Sequence, residues 1–245
     1  MHAIILAAGY GIRLKHVTGD KPKALVKIGE RTILDHLVKN VENTEIKDLT
    51  IVTNNKFHKH FLAWKEKYLG SLKINLINDN TNKNEERLGG IKDLHLALTN
   101  LNINDDILIL SSDNILMFSL NDFIKYFRTH NQITNGAVII PNKEEIKKIG
   151  VVQIDELKRI TSFEEKPEKP KSNLGSIGCY IFPKSRLELI EDYVKKGNNP
   201  EGPGFLIQHY YKSHPIHCFI TNEPWFDIGT VESLRLAERT FKNGI

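Results

Sequence analysis

Apolar positions in this chain fall into short runs that alternate with amphipathic stretches. Ala3–Ala8 is an apolar run closed by Gly9, which predicts a first buried strand. Ile33, Leu34, Leu37, Val38 and Val41 then recur at helical spacing and mark one face of a helix. Leu49–Asn54 predicts a second strand, Phe57–Leu69 a mixed helical stretch and Lys73–Asn78 a third strand. After a polar loop, Ile91–Leu101 has a helical pattern, and "DILILSSDN" (Asp106–Asn114) is the strongest buried strand. Beyond this point "GAVIIPN", "VVQID", "RITSFEE" and "SIGCYIFP" predict short strands with little helix between them. "SRLELIEDYVKK" predicts a helix, "GNNPEGPG" a turn-rich connector and Val231–Phe241 a closing helix.

Strands alternating with helices imply βαβ units, hence an α/β fold with a doubly wound, mostly parallel sheet flanked by helices, Rossmann-like in build. The second half predicts an antiparallel or mixed extension of that sheet. With neither internal repeat nor long linker in the sequence, a single domain over 1–245 is expected, its two lobes meeting near residue 135. Ligands of such sheets bind outside the carboxyl ends of the strands. The loop after the first strand and Asp113 after the central one therefore face one crevice.

Composition narrows the class. The chain has no apolar run of membrane-span length. Its opening lacks the basic region of a signal peptide and leads straight into glycines, so a cytoplasmic protein is expected. Cys179 and Cys218, the only cysteines, sit in apolar runs and read as core thiols. His58/His60 and His214/His217 lack further ligands at useful spacing and read as surface or packing residues. A net charge of +4 is too small to indicate nucleic acid.

Local charge is more informative. In "LAAGYGIRLKHVTGDKPKALVKIG" (Leu6–Gly29), glycines are followed by Arg13, Lys15, Lys21, Lys23 and Lys27. These cations repel one another unless an anion joins them. The stretch matches neither a Walker A loop nor the dinucleotide fingerprint, since Leu14 stands at the third glycine position. A glycine turn can still expose backbone N–H groups as an anion nest, with Arg13 a planar fork and Lys23 a mobile charge. A solvated basic loop is the plainer alternative. Asp113 is either a turn former or a metal ligand, and Asp227 in "EPWFDIGT" either an Asx-type turn or a second oxygen ligand. Glu165-Lys166 follows a predicted strand within a charged segment that reads first as a solvated loop.

Taken together, four separated motifs resemble the sugar nucleotidyltransferases, nearest to glucose-1-phosphate thymidylyltransferase-like members. They are the Leu6–Gly29 loop, "LSSDN", "GVVQIDELKRITSFEEKPEKPKSNLGSIGCYIF" and "WFDIGTVESLRLAE". "ERLGGIKDLHLAL" is similar to the family's turn near the base, and "GNNPEGPGFLIQHYYK" to a segment found in a subset of members. The resemblance spans nearly the whole chain. It implies a nucleotidyltransferase fold, with an NTP-binding lobe (about 1–135) and a sugar-phosphate-binding lobe (about 136–245). Leu6, Ala8, Gly9, Gly11, Gly89, Gly90 and Asp113 would contact the nucleotide. Arg13 and Lys23 would act on the phosphates, and Asp113 and Asp227 would hold catalytic Mg²⁺. Glu165 would contact sugar hydroxyls and Lys166 the sugar phosphate, with Gly150 and Gly178 letting the sugar approach the backbone.

The resemblance further implies transfer of NMP from an NTP to a sugar-1-phosphate, with dTTP or UTP and glucose-1-phosphate as best guess. Its setting would be nucleotide-sugar and cell-surface polysaccharide biosynthesis. Guanylyl or cytidylyl transfer to mannose- or heptose-1-phosphate, or to another phosphorylated acceptor, is the alternative, and a non-catalytic regulatory relative a weaker one. Neither nucleic acid nor a membrane is expected as a partner, and a homodimer is left open. His16 stands where proline is common and Ile149 where an aromatic is frequent. The turn near the base lacks the glutamine that thymidylyl members often carry, which leaves the base open. The chain ends soon after the last helix, so the extra carboxyl-terminal domain of longer relatives is not expected.

Overall fold

The computed structural model describes residues 1–242. Among these, nine strands form one sheet: β1 (His2–Ala7), β2 (Asp48–Thr53), β3 (Lys73–Asn78), β4 (Ile107–Ser111), β5 (Ile133–Ile139), β6 (Gly150–Ile154), β7 (Ile160–Glu165), β8 (Leu174–Phe182) and β9 (Ile216–Thr221). The helices longer than one turn are α1 (Ile33–Glu42), α2 (Asn55–Glu66), α3 (Gly90–Asn100), α4 (Leu120–His130), α5 (Glu188–Lys195), α6 (Gly204–Tyr210) and α7 (Val231–Lys242). The path runs β7-β6-β8-β4-β1-β2-β3, with β5 on β8 and β9 on β5. β4, β1, β2 and β3 are mutually parallel, as are β5 and β9, while the pairings of β8 and the β6–β7 pair are antiparallel. The mixed α/β sheet is the one expected.

Period-two alternation drives both faces. Ala3, Ile5 and Ala7 of β1 point into a core shared with α1, α2 and α4, through Leu34, Phe61 and Phe123. Ile4 points into the opposite core, with Leu94 of α3, Ile190 of α5 and Leu206 of α6. Burying each Leu, Ile or Phe contributes about 1.5–3 kcal/mol. α7 packs Leu234 and Ala237 onto Leu14, Ile28 and Ile115, which ties the end of the described chain to the loop after β1.

Several predicted elements shift. The run Asp106–Asn114 is not one strand: β4 stops at Ser111, Ser112 and Asp113 turn, and Asn114–Leu116 forms a separate short strand. That strand pairs antiparallel with Trp225–Asp227, so Asn114 lies opposite Asp227. α2 begins two residues before the predicted stretch, because Asn54 Oδ1 accepts the Phe57 N–H at 2.9 Å and caps it. α4, with Leu120, Phe123, Ile124 and Phe127 on its buried face, and α6 are absent from the predicted elements.

β8 is where the sheet divides. Along one edge it follows β5, with a register break between Ser176 and Tyr180. Along the other it pairs first with β6, through Leu174 and Gly175, and then with β4, through Cys179–Phe182. Gly178 sits at the division with φ +65°, and a Cβ there would lie 2.7 Å from both Ser111 Oγ and Asn114 Nδ2. Left-handed backbone alone costs an L residue about 1–2 kcal/mol. Gly178→Ala is therefore expected to lower unfolding free energy by more than ~2 kcal/mol; a denaturant midpoint equal to wild type would refute this.

Candidate active site

The parallel strands all end on one side of the sheet, and the loops leaving β1 and β4 meet there. Ser112 N–H donates to Leu6 O at 3.2 Å, and Asn54 Nδ2 donates to Ala8 O at 2.8 Å, fixing the start of the glycine loop. Gly11 takes φ +61° and leads into a short 3₁₀ turn, Ile12–Leu14. This bends the chain so that Arg13 and Lys23 face a cavity of about 520 Å³, a size suited to a small organic ligand.

Of the predicted nucleotide and phosphate residues, Leu6, Ala8, Gly9, Gly11, Arg13, Lys23, Gly89, Gly90 and Asp113 all line this cavity. Lys15, Lys21 and Lys27 do not; they stay exposed on the surface. Lys23 Nζ donates to Asp113 Oδ2 at 2.9 Å, across ninety residues of sequence. Asp227 reaches the same place through the ribbon opposite Asn114. Ile228 N–H donates to Asp113 O at 2.8 Å, and Trp225 Nε1 to Asn114 Oδ1 at 2.9 Å, so both aspartates are held by one short ladder.

Burial works to raise the Asp113 carboxyl, but Lys23, with Arg13 behind it, outweighs this and holds it below its ordinary value. Burial and the Asp113 charge together push Asp227 up to about 6, against the pull of Lys23, Arg13 and Lys166. Two carboxylates this close lack full compensation from the protein, and their oxygens suit a hard divalent cation. Mg²⁺ is usually held by one or two carboxylates plus substrate phosphates rather than by a protein cage. No group of three or more His, Cys, Asp or Glu side chains capable of holding a metal occurs among the described residues.

The remaining predicted residues lie outside the cavity wall. Glu165 ends β7 opposite Gly150, and its backbone N–H donates to Gln208 Oε1 at 2.7 Å. Burial raises the Glu165 carboxyl while Lys166 opposes it. A Cβ on Gly150 would lie 2.5 Å from the Phe163 ring and 2.9 Å from Glu165 Oε2, and one on Gly204 would collide with Glu165 Oε2. The absent side chain at Gly150 thus makes room for Phe163 and Glu165, and Gly178 makes room for Ser111 and Asn114. Lys166 is exposed with φ +51°, a strained conformation that turns it back within electrostatic reach of Asp227.

Reading the sequence missed several contributors. Gln208 and Gly204 support Glu165 from α6, and Asn54 supports the glycine loop. Pro200 and Glu201 of the turn-rich connector cover the start of α3: their carbonyls accept the N–H groups of Ile91 and Gly90 at 2.9 and 2.8 Å. Asp93, in the first turn of α3, lines the cavity although only 5 % exposed, and its Oδ1 lacks any hydrogen-bond partner. Only the pattern "GGIKDLHLAL", with a carboxylate on an otherwise apolar helix face, carried a hint of it.

With this geometry in view, comparison with known proteins is informative. A model of the nucleotidyl transferase family matches residues 2–244. The chain belongs to that family. This nucleotidyltransferase-family chain is 30% identical over 229 residues to the bifunctional protein GlmU of Methanocaldococcus jannaschii, covering 94% of this chain and 51% of that protein. It thus spans about half the length of that relative. Among solved structures it is similar to a putative glucose-1-phosphate thymidylyltransferase from Bacillus anthracis in complex with a sucrose (TM-score 0.83, 22% identity, 100% of this chain and 96% of that one). It is also similar to a UDP-glucose pyrophosphorylase complexed with UDP-glucose (TM-score 0.82, 19% identity, 100% and 99%). At these identities the structural likeness speaks for the fold.

Asp93 gives a stability signature. Burial, with Asp79 nearby, raises its carboxyl to about 8. The folded chain therefore keeps a proton that the unfolded chain releases near pH 4, and stability falls as pH rises between about 4 and 8. Asp93→Asn removes this slope. The variant should melt at least ~3 °C above wild type at pH 8 and less far above it at pH 5, as read by circular dichroism. An equal offset at both pH values would contradict the assignment.

Proposed function

We propose that this protein transfers NMP from an NTP to a sugar-1-phosphate, releasing pyrophosphate and forming an NDP-sugar. UTP or dTTP with glucose-1-phosphate is the preferred pair, in line with the names of the two structural neighbours. The observation that carries the reading is the electrostatic convergence of Arg13, Lys23 and Lys166 on the Asp113–Asp227 pair, with Arg13, Lys23 and Asp113 on the wall of one cavity. Three cations and two carboxylates suit two phosphorylated substrates and a divalent metal. The first half of the chain would hold the NTP and the second half the sugar phosphate, in a single domain of the cytoplasm serving nucleotide-sugar supply.

In the proposed reaction an oxygen of the sugar phosphate attacks the α-phosphorus in line, the bond to the β-phosphate bridging oxygen breaks, and pyrophosphate leaves. The attacking phosphate is already ionised near neutral pH, because a phosphate monoester has a second pKa of about 6. A general base is therefore unnecessary. The barrier lies in bringing two anions together and in the charge gathering on the leaving group. Arg13, beside Gly229 on the cavity wall, would bind the triphosphate. Lys23 would leave Asp113 to bridge the two phosphates, and Lys166 would bind the sugar phosphate. Asp113 and Asp227 would hold Mg²⁺, which supplies charge neutralisation at the phosphate oxygens.

The test is pyrophosphate release with Mg²⁺, pairing each NTP with glucose-1-phosphate and mannose-1-phosphate. Release should require both substrates. Arg13→Ala and Lys23→Ala should each lower kcat by on the order of 10²–10³-fold, while unfolding free energy moves by less than about 1 kcal/mol because the Lys23–Asp113 pair is partly solvated. Full activity in either variant, or release with one substrate alone, would overturn the proposal.

A further inference from the structure

Asp93 is the buried polar group in this cavity that the proposed chemistry does not use. The cavity has two unlike ends. Arg13, Lys23 and Asp113 line one; at the other, Gly89 and Gly90 pack against Leu6, Pro200 and Pro203. A Cβ on Gly90 would lie 3.5 Å from Leu6 Cδ1 and 3.6 Å from Pro203 Cδ, so flat apolar walls meet a side-chain-free turn there. Backbone N–H groups at a helix start would ordinarily meet a ligand at such a turn. Here Gly90 and Ile91 already donate to the carbonyls of Glu201 and Pro200. Asn84 also lines the cavity but is only half-buried; Asp93, one helical turn further on, is the polar side chain that is nine-tenths buried there, with its Oδ1 unpartnered.

Its surroundings decide its form. The charged group felt by Asp93 is Asp79, just beyond β3, which is itself buried and accepts from the Thr81 N–H and hydroxyl at 2.7 and 2.8 Å. Tyr10, from the glycine loop, is spent on Thr81 Oγ1 at 2.9 Å. Arg87 is ion-paired to Glu201 at 2.8 Å, with both side chains about half exposed at the rim. On α3 itself Lys92 is exposed, and ion pairs formed by Asp93 are absent among the described residues. A carboxyl buried among these groups with an anion as its neighbour stays protonated at neutral pH. It then offers one O–H donor beside one C=O acceptor.

We propose that Asp93 determines base specificity, reading as a neutral carboxylic acid the imide edge of uracil or thymine, whose N–H donates to its C=O while a ring carbonyl accepts its O–H. The inference rests on the reading of the cavity as an NTP site. An ionised carboxylate would instead repel the imide carbonyls and favour a base with two adjacent N–H donors.

The experiment is equilibrium titration of wild type, Asp93→Asn and Asp93→Ala with UTP, dTTP, CTP, GTP and ATP, and with inorganic triphosphate as the probe without a base, all with Mg²⁺. Wild type should prefer UTP and dTTP. Asp93→Asn should keep that preference, whereas Asp93→Ala should weaken both by roughly tenfold or more with triphosphate affinity unchanged. Wild-type affinity for UTP should fall about fourfold from pH 6.5 to 8.5 as the acid ionises, and that of Asp93→Asn should stay flat. Equal base preference in wild type and Asp93→Ala, or GTP binding abolished by Asp93→Asn, would overturn this inference while leaving the nucleotide site standing. Failure of every nucleotide and of triphosphate to bind would overturn the proposed function and this inference with it.

Discussion

Everything at this site depends on one charge balance, struck between side chains that the sequence keeps far apart. Lys23 on Asp113 is its visible contact. Without the cations, two neighbouring carboxylates could not both stay ionised. Without the carboxylates, Arg13 and Lys23 would lie side by side in a half-enclosed loop. The balance is incomplete even so, since Asp227 is pushed up to about 6 by burial and Asp113. A site that leaves its carboxylates under-compensated beside several cations suits partners of both signs, as the proposed reaction requires. The same reasoning explains why Arg13 is not buried more deeply: it is exposed, and a guanidinium locked into a dry pair would be costly to redirect.

The scaffold's contribution is to bring these groups to one line without using loops alone. β1 and β4 are adjacent and in register, so the segments leaving them, Gly9–Arg13 and Ser112–Asp113, start side by side. The Asn114–Leu116/Trp225–Asp227 ribbon then carries the second aspartate across more than a hundred residues, and the Trp225–Asn114 hydrogen bond fixes its register. Division of β8 at Gly178 opens the sheet between β4 and β6, so that β7 can deliver Glu165 and Lys166 from the other side. Lys166 pays a local backbone strain to turn back toward Asp227.

Legibility in the sequence followed the range of the interactions. β1, β2, β3 and α1 were readable because each carries a full period of apolar residues, and β1 is closed by Gly9. Arg13, Lys23, Asp113 and Asp227 could be singled out because their residue types are unusual beside glycines or at the end of an apolar run. α4 was overlooked although Leu120, Phe123, Ile124 and Phe127 recur at regular helical spacing. The split of the run Asp106–Asn114 was not legible, because the turn at Ser112–Asp113 is stabilised from Ile228, in a segment far along the chain. Gly150 illustrates the same limit from another side. Glycine can be read as open space for a ligand, yet Phe163 and Glu165 occupy that space, and only the folded packing reveals it.

Asp93 marks the point at which local reading and tertiary context diverge most. In sequence it is a polar residue in the first turn of a helix, where a carboxylate normally gains from the helix dipole and from solvent. In the fold, the connector at Pro200–Glu201 takes the helix's leading N–H groups, Asp79 adds a like charge, and the carboxyl is left buried without a partner. A group in that state lowers stability, and an apolar residue would pack there at less cost. The end of the cavity lined by Arg13, Lys23 and Asp113 gains nothing from it, since the charged group felt by Asp93 is Asp79 rather than any of these. What the carboxyl can offer is a directional donor and acceptor at the apolar end, where a ligand without matching groups would leave it unsatisfied. Under the proposed function, charge would hold a phosphorylated ligand in this cavity whatever its base; discrimination would then need a group whose desolvation only the right edge offsets, and Asp93 has that character.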